Sequence, residues 1–246
     1  MGKYSLAESK KTDKQLLKMF DEQHDIIKYP DLRLIFEICL ADRNKFIEIP
    51  GISDEQSYIK RWVNKYVKEH NDSPSNHIAK PKDSCNDPAL SIIVEASGFV
   101  DSIEEAEKAH ILFMSAENIQ GKLLEQYISF EISKFGFIWC QGSVMRAADF
   151  CNTDGTCIIQ IKNKNNTENS SSSAIREGTS IKHWFRLSTS KAGNKRFPVY
   201  HWAELNKIIE DNKTKCKDEN CQMSEEKYQT FIRGVVASNN KIICSE

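Results

Sequence analysis

The chain has 246 residues, of which 39% are hydrophobic and 28% are charged, and its formal net charge is −1. This length allows one large domain or two small ones. No run of about 18 apolar residues is present, so we expect no membrane helix. The first residues lack the apolar stretch of a secretion signal, which predicts a cytoplasmic protein with free thiols.

The small net charge conceals an uneven distribution along the chain. Residues 160–196 contain eight Lys or Arg against two Glu, whereas residues 101–131 contain seven Asp or Glu against two Lys. A basic segment binds phosphates, and an acidic segment can hold a metal ion. The sequence therefore predicts a basic face beside an acidic pocket.

Apolar residues at helical spacing dominate the first seventy positions and predict several helices there. The stretch 70–88 is rich in Asn, Asp, Ser, Pro and Lys and has no periodicity, which predicts a linker or a long surface loop. We therefore divide the chain into a helical N-terminal region, residues 1–86, and a second domain, residues 87–246.

Two helices are predicted after this linker. Asp101 and Ser102 cap a helix that runs to about Met114, and acidic residues in its first turn favour that start. A second helix is predicted over residues 116–134, and Gly136 ends it.

After these helices the hydrophobic period changes to that of strands. Strands are predicted at residues 137–140, 147–151, 157–162 and 197–202. The Asp154-Gly155 pair between the second and third strands predicts a hairpin, and a helix is predicted from about Ile175 to Phe185. This order predicts an α/β or α+β fold with a small mixed β-sheet flanked by helices.

The predicted hairpin brings polar side chains together at one edge of the sheet. Gln160 and Lys162 alternate with apolar residues and share one face, and Asp149 can lie beside them across the hairpin. The preceding helix can present one of three carboxylates to the same place: Glu117, Glu125 or Glu131. Carboxylate oxygens hold Mg²⁺ against a phosphodiester, and a nearby lysine orients the attacking water. The set predicts magnesium-dependent phosphodiester hydrolysis.

Asp149 followed by Gln160-Ile161-Lys162 resembles the PD-(D/E)XK nuclease signature in its type II restriction-enzyme setting, with Ala148 where the signature has Pro. The core is similar to the SinI-type restriction endonucleases in particular. The stretches that carry this similarity are residues 117–121, residues 124–127 and the run from Lys162 to Arg186. The resemblance implies a restriction-endonuclease-like core in which Asp149, Gln160 and Lys162 are catalytic.

One position departs from the family pattern. The signature usually has Asp or Glu where Gln160 stands, and a neutral amide offers an oxygen to a metal but no charge. We expect Glu125 to supply the missing carboxylate, so that Asp149, Gln160 and Glu125 hold the metal. The alternatives to this glutamate are Glu117, Glu131 and Glu168. Asp154 is the rival of Asp149, although its place beside a glycine suits a turn better.

The basic segment supplies the predicted DNA contacts. The four serines 170–173 are typical either of a flexible linker or of a helix start whose hydroxyl and N–H groups meet phosphates. The basic residues near them are either solvated helix charges or DNA contacts, since arginine pairs with guanine in the major groove. The predicted contacts are Lys164, Asn165, Ser170, Ser171, Ser172, Arg176, Lys182 and Arg186.

The resemblance implies a type II site-specific deoxyribonuclease. Such an enzyme would cut double-stranded DNA at a short G/C-flanked palindrome such as GGWCC, where W is A or T, and leave 5′-phosphates. A two-fold site matches a two-fold protein, so we expect a homodimer in which residues 1–86 dimerise or grip DNA. We expect no nucleotide cofactor and no membrane partner. The alternatives are a repair or structure-specific PD-(D/E)XK nuclease and a catalytically inactive DNA-binding module.

Overall fold

Helices make up most of the N-terminal region in the computed structural model, which describes residues 2–23, 26–76, 88–98, 101–164, 181–193 and 195–243. The helices are α1 (Asp13–Asp21), α2 (Pro30–Ala41) and α3 (Glu55–Asn71), and two short strands, β1 (Lys3–Tyr4) and β2 (Ile49–Pro50), pair antiparallel. The helices predicted over the first seventy residues are therefore confirmed.

Local sequence explains where these helices begin. Thr12 and Gln15 form a reciprocal capping box at the start of α1, and Asp54 accepts a hydrogen bond from the backbone N–H of Ser57 at the start of α3. The apolar faces then meet in an aromatic core, where the rings of Phe36 and Trp62 lie 5.4 Å apart between centroids.

The next two helices differ from the prediction. Helix α4 (Pro88–Ser97) begins inside the stretch interpreted as linker, whose residues 77–87 lie outside the described part of the chain. The two helices predicted between Asp101 and Gly136 are one helix, α5 (Ile103–Ile132), capped by Ser102. The break at residue 115 was wrong because Ser115 bonds back to the carbonyl of Ile111 and stays within the helix.

The small mixed sheet that the sequence predicts is confirmed, with five strands in place of the four predicted. They are β3 (Phe137–Trp139), β4 (Phe150–Asn152), β5 (Ile158–Lys164), β6 (Ile181–Ala192) and β7 (Lys195–Tyr200). They lie in sequence order, with β5 and β6 parallel and the other neighbours antiparallel. The left-handed backbone of Gly136 (φ 85°) makes the turn from α5 into this sheet.

The helix predicted from Ile175 to Phe185 is wrong over its described part. Residues from Ile181 onward form β6, so Lys182 and Arg186 lie on a strand and not on a helix. Trp184 and Arg186 are both buried while their neighbours are more exposed, which is the two-residue alternation of a strand.

Helices α6 (Trp202–Asn212) and α7 (Glu225–Ser238) complete the described chain, and each face of the sheet covers a different core. Phe150 and Ile159 point toward α5, α6 and α7, whereas Cys151 and Ile158 point toward the N-terminal helices. The indole N–H of Trp62 donates to the carbonyl of Val144 at 2.8 Å.

The N-terminal helices thus share a core with the sheet. The division at residue 86 falls outside the described residues and stays a prediction. Among the described helices, none is both long and apolar enough to cross a membrane.

Candidate active site

Asp149 is held by backbone groups on both sides. Its N–H donates to the carbonyl of Ile159 at 2.9 Å, and its own carbonyl accepts from Cys140 at 2.8 Å. The N–H of Ile161 donates to Oδ2 of Asp149 at 2.7 Å. Two residues earlier, Ala147 adopts a left-handed conformation (φ 54°), which turns the chain into β4. The carboxylate is therefore fixed against the middle of β5.

Gln160 lies between the two β5 residues that bind Asp149. Its Oε1 atom is buried and has no hydrogen-bond partner among the described residues. An acceptor left unsatisfied in this way costs about 1–3 kcal/mol, and a bound cation would satisfy it. Lys162, two positions further along, is half-buried on the same face of the strand.

Glu125 reaches the same place from α5. Burial, and after it the nearby Asp149 carboxylate, raise its pKa to about 8, although the hydrogen bond from Trp139 opposes the shift. That bond runs from the indole N–H of Trp139 to Oε2 of Glu125 at 3.0 Å. The carboxylates of Glu125 and Asp149 therefore repel each other where they are partly buried. A divalent cation bound between them would lower this repulsion.

These residues fit a hard, oxygen-binding cation. Asp149, Glu125 and Gln160 offer two carboxylates and an amide oxygen, which are the ligand types that Mg²⁺ takes in proteins. Within the described ranges there is no cluster of three or more His, Cys, Asp or Glu suited to a metal. Any such site here therefore depends on the amide oxygen of Gln160 or on solvent.

The two carboxylates line a cleft of about 410 Å³ between α3, α5 and the β3–β4 connection. Three lysines stand around it, Lys65 and Lys68 from α3 and Lys122 from α5. Nζ of Lys122 on α5 lies 3.8 Å from Oε2 of Glu69 on α3, so an ion pair joins the two helices across the cleft. The cleft thus holds two carboxylates beside three lysines, which form its basic wall, and Glu69 and Asp72 of α3 also line it. Lysines next to a metal ion suit the binding of a phosphate group.

The basic wall depends on a close approach between α3 and the turn at residues 141–143. Gly142 has a left-handed backbone (φ 70°), and a Cβ atom there would lie 2.5 Å from the carbonyl oxygen of Lys65. Only glycine allows both the conformation and the contact. This contact places Lys65 and Lys68 beside the carboxylates.

Three of the alternative acidic residues, Glu117, Glu131 and Asp154, have partners or positions away from the cleft. Glu117 pairs with Lys164 at 2.9 Å. Glu131 faces the other side of the sheet, where burial and then this carboxylate raise the pKa of Tyr127. Asp154 accepts from the backbone N–H and hydroxyl of Thr156, as a turn residue does. Glu168 lies outside the described residues.

The residues predicted to contact DNA differ in how accessible they are in the structure. Arg186 is only 5% exposed and is paired with Glu225 at 2.6 Å, so it does not lie on an accessible surface. Lys182 is exposed on β6, and Lys164 is exposed but engaged with Glu117. The remaining predicted contacts lie outside the described residues: Asn165, Ser170, Ser171, Ser172 and Arg176.

Sequence reasoning missed the basic wall and the indole donor. Lys65 and Lys68 are three positions apart, which places them on one face of a helix, but nothing in the sequence indicates what that face meets. Trp139 lies in an apolar run typical of a buried strand, and its ring stacks on Phe150. Its indole N–H nevertheless donates a hydrogen bond to Glu125 in the candidate site.

Comparison with known proteins identifies the family of this chain. The family model described as SinI restriction endonuclease matches residues 48–212, which contain the cleft and its carboxylates. The type II restriction enzyme Eco47I from Escherichia coli is 41% identical over 117 residues, which are 45% of this chain and 51% of that enzyme. The type II restriction enzyme SinI from Salmonella infantis is 38% identical over a stretch of the same extent. The match thus spans about half the length of these curated relatives. The chain belongs to the SinI restriction endonuclease family.

Proposed function

We propose that the protein is a type II site-specific deoxyribonuclease that uses Mg²⁺ to hydrolyse both strands of double-stranded DNA. The observation that carries the proposal is the meeting of Asp149 and Glu125 in one cleft. Between the two β5 residues that bond to Asp149 lies Gln160, whose buried amide oxygen has no hydrogen-bond partner among the described residues. The names of the two relatives, both type II restriction enzymes, support the same activity.

Each residue of the site has a distinct task in this proposal. Asp149, Gln160 and Glu125 would hold the metal, which supplies neutralisation of charge on the scissile phosphate and activation of water. Lys162 positions the attacking water and stabilises negative charge that develops on the phosphate. Trp139 orients Glu125 through its indole N–H.

The basic walls of the cleft suit the DNA backbone. Lys65 and Lys68 come from the N-terminal region, and Lys122 faces them from α5. Lysines placed in this way bind phosphates without reading sequence. Two roles were predicted for residues 1–86, dimerisation and gripping DNA. The position of Lys65 and Lys68 beside the cleft supports the second role.

The recognition site and the products follow from the family resemblance. We propose a G/C-flanked palindrome of the GGWCC type and cleavage that leaves 5′-phosphates. Such a site has two-fold symmetry, which a homodimer matches.

Exposed apolar residues on α4 and the first half of α5 support a homodimer. The side chains are Ile92, Ile93, Val94, Leu112, Phe113 and Met114. At about 200 Å² for a fully exposed large side chain they expose about 670 Å², compared with about 800 Å² buried by each partner in a standard interface. Two such helical pairs would form a four-helix contact.

Sedimentation of the full chain tests this surface. Phe113→Glu should convert the dimer to a monomer, whereas Ile27→Glu, which changes an isolated residue that is 95% exposed, should leave the dimer intact. A dimer that survives Phe113→Glu would place the interface elsewhere.

Plasmid digestion tests the activity. We expect discrete fragments with Mg²⁺, none with EDTA, and none with the Asp149→Asn variant. That variant keeps an oxygen that can accept from Ile161, so its fold and DNA binding should persist. Asp154→Asn is the matched control and should cut normally.

Other outcomes of this digestion decide against the proposal. Normal cutting by Asp149→Asn with loss in Asp154→Asn would exchange the two assignments. Degradation without discrete fragments would indicate a repair or structure-specific nuclease. Intact plasmid that still shifts in a mobility assay would indicate a DNA-binding module.

A further inference from the structure

The segment from residue 178 to residue 203 contains five basic residues and no acidic residue. Its outer part is the β6–β7 hairpin, which continues in register to the pair Ala192↔Lys195 and turns at Gly193. The last described pair that joins β6 to β5 is Lys164↔Leu187. The described residues beyond residue 188 on both strands are exposed. The hairpin therefore forms a two-stranded basic ribbon that extends from the sheet.

The register of the sheet determines which charges face the candidate active site. Lys162 pairs with Phe185, and paired residues in a parallel ladder lie on the same face. Alternation along β6 then places Lys191 on that face. Lys191 is directly opposite Arg196 on β7, so both belong to it, whereas Lys195 lies on the other face.

Lys191 and Arg196 have no balancing acidic partner within the described part of the chain. Like charges directly opposite each other destabilise an antiparallel pair, and neither Lys191 nor Arg196 forms an ion pair with the described residues. A bound polyanion would remove this repulsion. Lys191 is six positions beyond Phe185, or about 20 Å from the level of Lys162, which corresponds to about six base pairs of B-DNA.

We infer that the tip of the β6–β7 ribbon binds double-stranded DNA through Lys191 and Arg196, beside the segment held in the cleft. The inference rests on the proposed function for its choice of partner. The major groove is about 12 Å wide and admits a two-stranded ribbon. Arg196 offers the planar donor pair that recognises phosphate or guanine, and Lys191 adds a point charge. The ribbon therefore extends the DNA surface of each protomer beyond the cleft.

Binding of a short fluorescent duplex tests this inference. The probes are one duplex with GGACC and one of scrambled sequence, titrated with the full chain in Ca²⁺ across a salt series. We expect Lys191→Ala and Arg196→Ala each to weaken binding about tenfold, and each to lower the salt slope by about one unit. Lys195→Ala, on the opposite face of the same ribbon, is the matched control and should bind as wild type does.

The outcomes separate this inference from the proposed function. Wild-type affinity in both Lys191→Ala and Arg196→Ala would overturn it, as would equal losses in all three variants. If wild type cuts plasmid but the ribbon variants bind normally, the inference fails and the nuclease assignment stands. If wild type does not cut but the variants still lose affinity relative to the control, the nuclease assignment fails and the ribbon remains a DNA-binding element. Thermal melts verify the fold of each variant. All three side chains are exposed, so we expect each variant to keep the wild-type Tm.

Discussion

Replacing Arg186 should destabilise the fold and not act through DNA contact. Its guanidinium lies between the Glu225 carboxylate at 2.6 Å and the side-chain oxygen of Asn163 at 2.8 Å. It also lies 5.4 Å from the ring centroid of Tyr200 and 5.3 Å from that of Tyr228. The side chain therefore joins β6, β5 and α7 in the interior.

The expected size follows from the burial of both partners, whose side chains are 6% and 15% exposed. Removing one member of a buried ion pair leaves the other uncompensated and costs about 3–5 kcal/mol. This is a large share of the 5–15 kcal/mol that is typical for the free energy of unfolding of a domain. For a chain of this size the Tm should fall by about 6–20 °C.

Urea unfolding and thermal melts of Arg186→Met measure this loss. Lys182→Met changes an exposed cation on the same strand and should alter stability little. Adding Glu225→Gln to Arg186→Met should recover part of the loss, because it removes the uncompensated charge while its amide oxygen still accepts from Trp202. A variant with wild-type stability but weakened DNA binding would refute the structural role and return Arg186 to the DNA interface.

Two further substitutions test the cleft. Trp139→Phe keeps an aromatic ring but removes the N–H donor to Glu125. Half-maximal cleavage should then need about tenfold more Mg²⁺, since a hydrogen bond to a charged group contributes about 1.5–3 kcal/mol. An unchanged Mg²⁺ titration would exclude this positioning role. Gly142→Ala places a methyl group against the carbonyl of Lys65 in a left-handed conformation, so it should lower stability by about 1–3 kcal/mol and weaken DNA binding. Gly121→Ala is its control, because among the described residues no heavy atom outside the local helix backbone and the flanking residues lies within 4 Å of the added carbon. There, stability should be unchanged or slightly higher.

The strands that carry the candidate site were predictable because their signals are local. Asp154-Gly155 between two apolar runs predicts a hairpin, and hairpin geometry alone places Asp149 opposite Gln160. The structure has β4 and β5 there, and Asp149 bonds the residues on either side of Gln160. Short-range turn chemistry was sufficient for this part of the fold.

The choice among glutamates was not predictable from local signals. Glu117 and Glu125 lie on the same helix, and helical spacing does not indicate which turn faces the hairpin. The indole N–H of Trp139 and the carboxylate of Asp149 distinguish Glu125, and both belong to other elements. The basic wall from α3 is equally non-local, because the contact at Gly142 joins segments far apart in the chain.

The wrong helix before Phe185 had a specific consequence for the DNA surface. On a helix, Lys182 and Arg186 are one turn apart and share a face, which is compatible with the prediction that both contact DNA. On a strand the period is two, and packing against α7 decides which face is buried. Arg186 falls on the face that packs against α7, whereas Lys191 falls on the face that carries Lys162. An error in period thus selected a structural arginine and overlooked the charges at the ribbon tip.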